Sequence, residues 1–254
     1  MFELKFLDLY LKGCLMNQFD EIAADYDESI YPLSERDFVL PTVEKLAELA
    51  PGKKILELAV GTGRIANPLA QRGFDMTGLD ISEQMLKQLK QKKDGKQVEI
   101  VLGDMQIADL NEEFDLIYLI FNSITYIKTL EGQLATIQNA AKHLKPDGLF
   151  VLESFVPRVH EIVGDEIAPF SLEDDFIGFD QYERISQQIT SYQFDLSGEH
   201  VASHKTVHRY IWPSELQLMG KLAGLEIIHQ WGNWQGEPLK QEDDDMIMVF
   251  KKNT

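Results

Sequence analysis

The sequence predicts an α/β fold: a mostly parallel sheet with helices on both faces, interrupted late in the chain by an antiparallel β insertion. Three observations predict it. Short apolar runs at Ile55–Leu58, Phe74–Leu79, Val98–Leu102, Phe114–Phe121 and Leu149–Phe155 alternate with segments of helical period, the pattern of a parallel sheet with crossover helices. The first run breaks at Val60-Gly61-Thr62-Gly63 into a tight turn that opens directly into a helix. From Pro157 to Ile211 the residues become β-branched and aromatic with partial alternation, which is strand patterning of a different kind.

The elements follow in order. Met1 to Met16 holds Phe2, Leu4, Phe6, Leu7, Leu9 and Leu11 but is broken by Glu3, Lys5, Asp8 and Lys12, so it is neither a secretory apolar region nor a membrane span. It reads as an extra helix or as sequence ahead of a start at Met16. Asn17 to Tyr26 reads as an amphipathic helix with Phe19, Ile22, Ala23 and Tyr26 on one face, and Arg36 to Ala50 as a helix stopped by Pro51-Gly52. Ser82 caps a helix that turns Met85, Leu86 and Leu89 inward and leaves Lys87, Lys90, Lys92 and Lys93 wet. Leu130 to Leu144 is a helix, Pro146-Asp147-Gly148 a turn, and Leu149 to Phe155 the fifth strand. Strands follow at Phe176–Tyr182, Ile185–Asp195 and His200–Ile211, with a turn at Ser197-Gly198. Pro213 to Ala223 restarts a helix, and Leu225–Gln230 and Asp245–Lys251 close a sheet of seven strands, the last antiparallel.

The chain has 254 residues, 44% hydrophobic and 26% charged, enough to bury one substantial core with an elaboration. The expected division is 1–16 as an extra segment, 17–156 with 212–254 as the core, and 157–211 as an insertion that covers an acceptor or makes a dimer contact. Lys+Arg 24 against Asp+Glu 42 gives a formal charge of −18, which opposes a phosphate-binding surface, so no nucleic-acid partner is expected. The single cysteine, Cys14, excludes an intramolecular disulfide, and no signal peptide is evident, which points to a cytoplasmic protein that does not engage a membrane.

Two bare glycines let a flat ligand approach the backbone at a helix start, and Asp80, about twenty residues on, stands at the end of the second strand, where a carboxylate takes a ribose diol. Gly61-x-Gly63-x-x-Ala66 also satisfies the dinucleotide fingerprint in its Ala-ended form. Glu57 just before the turn and Asp104 at the third strand end argue against a pyrophosphate, because carboxylates repel phosphates and attract a cation. In an open α/β sheet ligands bind at the carboxyl ends of the strands, so these three acids converge. Asn122-Ser123-Ile124-Thr125-Tyr126 ends the fourth strand at the same edge, either as turn chemistry or as a loop facing the reaction.

The runs LELAVGTGR, GLDISEQML, GDM before FDLIYLIFNSITYI, and HLKPDGLFVLE together resemble the ordered motifs of class I S-adenosylmethionine-dependent methyltransferases, over roughly Tyr26 to Val156. The chain is most similar to the small-molecule branch that includes sugar-amine N-methyltransferases. Ala59 departs from the pattern, standing where most members have a glycine. The resemblance implies a Rossmann-like fold, S-adenosyl-L-methionine as cofactor and methyl transfer to a small-molecule acceptor, nitrogen slightly ahead of oxygen. It implies that Glu57, Ala59, Gly61 and Gly63 hold the methionine part, Asp80 the ribose and Asp104 the adenine amine. Tyr26, Ile81, Met85, Met105 and Phe121 complete the expected cofactor set, and the entry segment closes over it. Tyr31, Asn122, Tyr126, His208 and Tyr210 are the expected acceptor residues. The catalytic base is unassigned, with His208, Tyr126 and Tyr31 as candidates. An NAD-dependent oxidoreductase, or a nucleoside-binding protein without turnover, is the alternative.

His200, His204 and His208 stand four apart, which on a helix would suggest a metal. The β-branched run HVASHKTVHRYIW favours a strand instead, placing His204, His208, Tyr210 and Trp212 on one side, and no metal is expected. Asp243-Asp244-Asp245 lacks the spaced ligands of a calcium loop and reads as a solvated turn.

Overall fold

The computed structural model describes residues 18–24, 26–27, 36–92, 95–158, 167–198 and 200–253. The expected segment 1–16 and Tyr31 lie outside the described residues. The strands are β1 (Lys54–Leu58), β2 (Asp75–Asp80), β3 (Val98–Leu102), β4 (Phe114–Leu119), β5 (Leu144–Phe155), β6 (Ile167–Leu172), β7 (Phe176–Glu183), β8 (Gln188–Asp195), β9 (Ala202–Arg209), β10 (Leu225–Trp231) and β11 (Asp245–Lys252). Seven of them form one sheet in the order β10-β11-β5-β4-β1-β2-β3, and the other four form an antiparallel sheet, β6-β7-β8-β9. β1 pairs with β2 and β2 with β3 in parallel, whereas β11 runs antiparallel to both β5 and β10. The expected fold, including the reversed last strand and the antiparallel insertion, is what the chain adopts.

Burial explains why these runs are strands. Ile55, Leu56 and Leu58, Leu116 to Ile120, and Met246 to Phe250 are buried in unbroken series, as strands covered on both faces must be. Helix starts are fixed by caps: Ser82 accepts from Met85 N–H at 3.1 Å and Thr129 from Gly132 N–H at 3.1 Å, opening the helices Glu83–Gln91 and Leu130–Lys142.

Several elements differ from expectation: the helix expected over Asn17–Tyr26 spans Gln18–Ile22, and the strand expected from Ile185 begins at Gln188, after a turn. β5 begins at Leu144, not Leu149, so Pro146-Asp147-Gly148 is a kink within the strand. Asp147 takes a left-handed φ of 64°, its carboxylate meets Lys251 Nζ at 2.7 Å, and Lys252 Nζ donates to the Leu144 carbonyl at 2.5 Å. These β11 lysines hold the kinked residues alongside the sheet. β6 falls outside the expected strands, since Pro169 interrupts its pattern. It survives as an edge strand with a register shift between Pro169 and Ser171, the place where a sheet tolerates proline.

The chain divides into two compact units, Met1–Leu110 with Phe114–Ile117 and Asn111–Glu113 with Tyr118–Thr254.

Candidate functional site

In the first unit the glycine loop is tied to β2 by a short ladder. Val60 N–H donates to the Leu79 carbonyl at 3.0 Å, and Gly61 N–H donates to Asp80 Oδ2 at 2.7 Å. Ser82 N–H donates to the other Asp80 oxygen at 2.8 Å. Asp80 is buried, and desolvation raises its pKa, opposed by the N–H donors of Ser82, Gly61 and Ile81, while Asp20 raises it further. Its carboxylate therefore holds the loop in place, and with about four acceptor positions it retains capacity beyond these donors.

The loop backbone is left-handed three times, at Ala59 (φ 56°), Gly61 (53°) and Gly63 (77°). The φ at position 59 explains why glycine is the easy residue there, and why alanine is a local strain. A side chain at Gly63 would collide with Leu89, whereas one at Gly61 would meet nothing within 4 Å. Gly61 thus presents bare backbone to open space, which fits a ligand that approaches the main chain closely. Glu57 is buried at the end of β1. Asp104, after β3, accepts the backbone N–H of Gln106 at 2.9 Å and its side-chain amide at 3.1 Å on both oxygens. Exposed aliphatic surface stands beside these acids, with Ile81 58% and Ile107 78% accessible, while Met85 is a core residue at 2%. Such surface suits the face of an aromatic base.

The entry segment is pinned to the same loops. Asp27 accepts the Thr62 hydroxyl at 2.6 Å and meets Lys92 Nζ at 2.5 Å, Asp20 accepts the Ser82 hydroxyl at 2.6 Å, and the Arg64 guanidinium lies 5.7 Å from the centre of the Tyr26 ring. Sequence reading placed Tyr26 here but passed over Asp20 and Asp27, whose only signal was two acids among the apolar positions of an amphipathic segment.

In the second unit Phe121 and Asn122 are both left-handed, with φ of 53° and 59°. Among the bonds that hold the turn are Phe121 N–H to Glu153 Oε2 at 2.9 Å, Phe155 N–H to Asn122 Oδ1 at 2.6 Å, and the Thr125 hydroxyl to the Asn122 carbonyl at 2.7 Å. Glu153 is buried, its other oxygen accepts the Trp234 indole N–H at 2.8 Å, and desolvation raises its pKa. Sequence reading missed Glu153 because it lies inside an apolar strand.

His208 joins this cluster through Thr125, whose Oγ1 lies 2.9 Å from Nδ1. The Thr125 proton is already given to Asn122, so Nδ1–H is the donor and Nε2, 3.1 Å from Thr206 Oγ1, is the acceptor. Tyr126 tilts against the imidazole with ring centres 4.5 Å apart. Tyr210 instead lies in a core cluster with Ile189, Phe155, Tyr182 and Trp212, 2% exposed. Among the described residues no group of three or more His, Cys, Asp or Glu could hold a metal ion.

Desolvation, then Lys128, lowers the His208 pKa from 6.5 to about 4. The unfolded chain therefore takes up this proton below pH 6.5, while the folded protein resists it until about pH 4. His208 contributes stability that is complete above pH 6.5 and is lost on acidification toward pH 4, on the order of 3 kcal/mol. Asp80 and Glu153 act in the opposite sense, since raised carboxylate pKa values contribute stability that is lost as pH rises. Urea unfolding at pH 7 and pH 4.5 of wild type and His208→Gln isolates the histidine, because the carboxylates are common to both. The wild type is expected to lose more stability on acidification than the variant, and equal losses would contradict a neutral buried His208.

A family model described as a methyltransferase domain matches residues 55–148. The chain is similar to a cypemycin N-terminal methyltransferase from Streptomyces sp, 26% identical over 79% of this chain and 84% of that protein. It is also similar to a dTDP-3-amino-3,4,6-trideoxy-alpha-D-glucopyranose N,N-dimethyltransferase from Streptomyces venezuelae, 31% identical over 39% of this chain and 41% of that one. Among solved structures, the CcbJ methyltransferase from Streptomyces caelestis superposes with a TM-score of 0.80 at 26% identity, covering 92% of this chain and 96% of the other. These matches set aside the oxidoreductase alternative, as the acids around the loop already argued. Residues 55–148 thus match a methyltransferase domain, and over most of its length the chain is similar to known methyltransferases.

Proposed function

We propose that the protein methylates an amine nitrogen of a small molecule. The observation that carries this reading is that the relatives matched above include an N-terminal methyltransferase and an amino-sugar N,N-dimethyltransferase. When bound, S-adenosylmethionine supplies a methyl group already activated on a sulfonium. The protein has then to align an incoming lone pair with it, exclude water and accept one proton.

Glu57, Ala59, Gly61, Gly63, Asp80 and Asp104 would hold the cofactor, with Ile81 and Met105 against its rings and Tyr26 over it. Three buried or half-buried acids favour a cation, and the bare backbone at Gly61 admits close approach. Asn122, Tyr126 and His208 would orient the acceptor. His208 is neutral down to about pH 4, so it adds no positive charge that would repel a cationic amine.

The segment 157–211 is the insertion that selects the acceptor or pairs two copies of the chain, and its aromatic content serves either role. The cytoplasm is the compartment this reading favours. No described helix is long and apolar enough to cross a membrane. A formal charge of −18 disfavours nucleic acid and favours a cationic acceptor.

The test is methyl transfer from labelled S-adenosylmethionine to a panel of amines, amino sugars and phenols, with products located by mass spectrometry. Label on nitrogen is expected. Label confined to phenol oxygen would overturn the choice of nitrogen, and cofactor binding without transfer to any member would favour a binding protein.

A further inference from the structure

The donor carries a sulfonium and its product, S-adenosylhomocysteine, does not, so a charged group near the site can tell them apart. The motif set accounts for Glu57, Asp80 and Asp104 but not for Asp20. This residue sits on the short helix Gln18–Ile22, which packs against the helix Glu83–Gln91. One of its oxygens accepts both the Ser82 hydroxyl at 2.6 Å and the Gln84 N–H at 3.3 Å. Ser82 also gives its backbone N–H to Asp80 at 2.8 Å. A single serine thus joins two carboxylates, one from the entry segment and one from β2.

All the donors in these bonds are neutral. Asp27, on the same segment, differs in having the Lys92 ammonium at 2.5 Å. The segment therefore brings a second negative charge up to Asp80 through neutral donors. Burial chiefly makes Asp80 harder to ionise, and Asp20 adds to that in the same direction, as like charges do. A positive ligand relieves that repulsion and a neutral sulfur does not.

We propose that Asp20 makes the latched entry segment selective for the cationic donor over its neutral-sulfur product. The inference rests on the cofactor assignment above. It gives the protein a means of retaining substrate and releasing product from the same loops, since the two differ by the methyl group and the positive charge on sulfur.

Calorimetric titration of the full chain with S-adenosylmethionine and S-adenosylhomocysteine tests it. Asp20→Asn keeps an amide oxygen for Ser82 and Gln84 but removes the charge, whereas Asp20→Ala removes both. The asparagine variant is expected to lose about tenfold in affinity for the methionine compound, the scale of one partly screened charge pair, and less than about twofold for the homocysteine compound. The alanine variant should weaken both. In the wild type, raising salt should erode donor affinity more steeply than product affinity, a readout that needs no variant. Equal losses for both ligands in Asp20→Asn would make Asp20 a tether only, and no loss for either, or parallel salt slopes, would remove its charge from the account. A wild type that binds neither ligand would overturn the cofactor assignment itself, and the inference with it.

Discussion

Replacing Asp80 by alanine is expected to weaken S-adenosylmethionine binding by about 2–4 kcal/mol, on the order of 30- to 1000-fold, and to lower the melting temperature at the same time. The affinity loss follows if the carboxylate accepts ribose hydroxyls. The stability loss follows from what the structure shows: Gly61 and Ser82 N–H groups lose their acceptor, at a cost of about 1–3 kcal/mol for each one left buried and unpaired. Asp80→Asn separates the two, because one amide oxygen can serve one N–H but the amide nitrogen repels the other. Titration and thermal melts on both variants check this. A lower melting temperature with an unchanged dissociation constant would show that Asp80 serves only the loop.

The second large effect is expected at Arg209, which sequence reading did not single out. It is 4% exposed and bonds Gln133 Oε1 at 2.5 Å, Gln187 Oε1 at 3.2 Å and Glu215 Oε1 at 2.7 Å. Gln133 also donates to the carbonyls of Ile124 and Arg209, and Gln187 donates to the carbonyl of Tyr210. One guanidinium therefore ties β9 to the helices Leu130–Lys142 and Pro213–Leu222 and, through Gln133, to the turn Ser123–Tyr126. Arg209→Met leaves the Glu215 carboxylate without its cation. The expected cost is about 3–5 kcal/mol, or roughly 10 °C in melting temperature for a chain of this size. Adding Glu215→Leu should recover part of it, because an apolar pair avoids the unpaired charge. A single variant that melts within about 2 °C of wild type would contradict the network's role.

The ladder around Asp80 and the network around Arg209 mark where the sequence is legible and where it is not. The buried strands and the glycine turn announce themselves, because apolar runs and a positive φ admit few residue types, and the acids at strand ends follow once the topology is known. Gln133 and Gln187 stand far from Arg209 and Glu215 in the chain, and all four look like surface residues, so only the folded chain shows that they meet. Glu153 hides in an apolar strand, and its partners, the Phe121 N–H and the Trp234 indole, leave no compositional trace. β6 was illegible for another reason: proline argues against a strand everywhere except at an edge, and whether a strand is an edge depends on its neighbours. Tyr210 shows the reverse error, since an aromatic residue near polar ones suggests a pocket lining and here fills a core.

The position of β11 bears on how the protein is made. It follows every other strand of its sheet in the chain, yet it lies inside that sheet, bonded to β5 on one side and β10 on the other, with Met246 to Phe250 buried. Synthesis runs from the N-terminus, so β5 emerges from the ribosome long before the strand that covers its edge. Throughout that interval β5, and later β10, expose unpaired N–H and C=O groups along apolar strands, the surface that templates pairing with another chain. The nascent protein thus cannot close its own sheet until Asp245–Lys252 has been made. A premature stop codon just ahead of Asp245 would therefore remove an interior strand and leave two open edges.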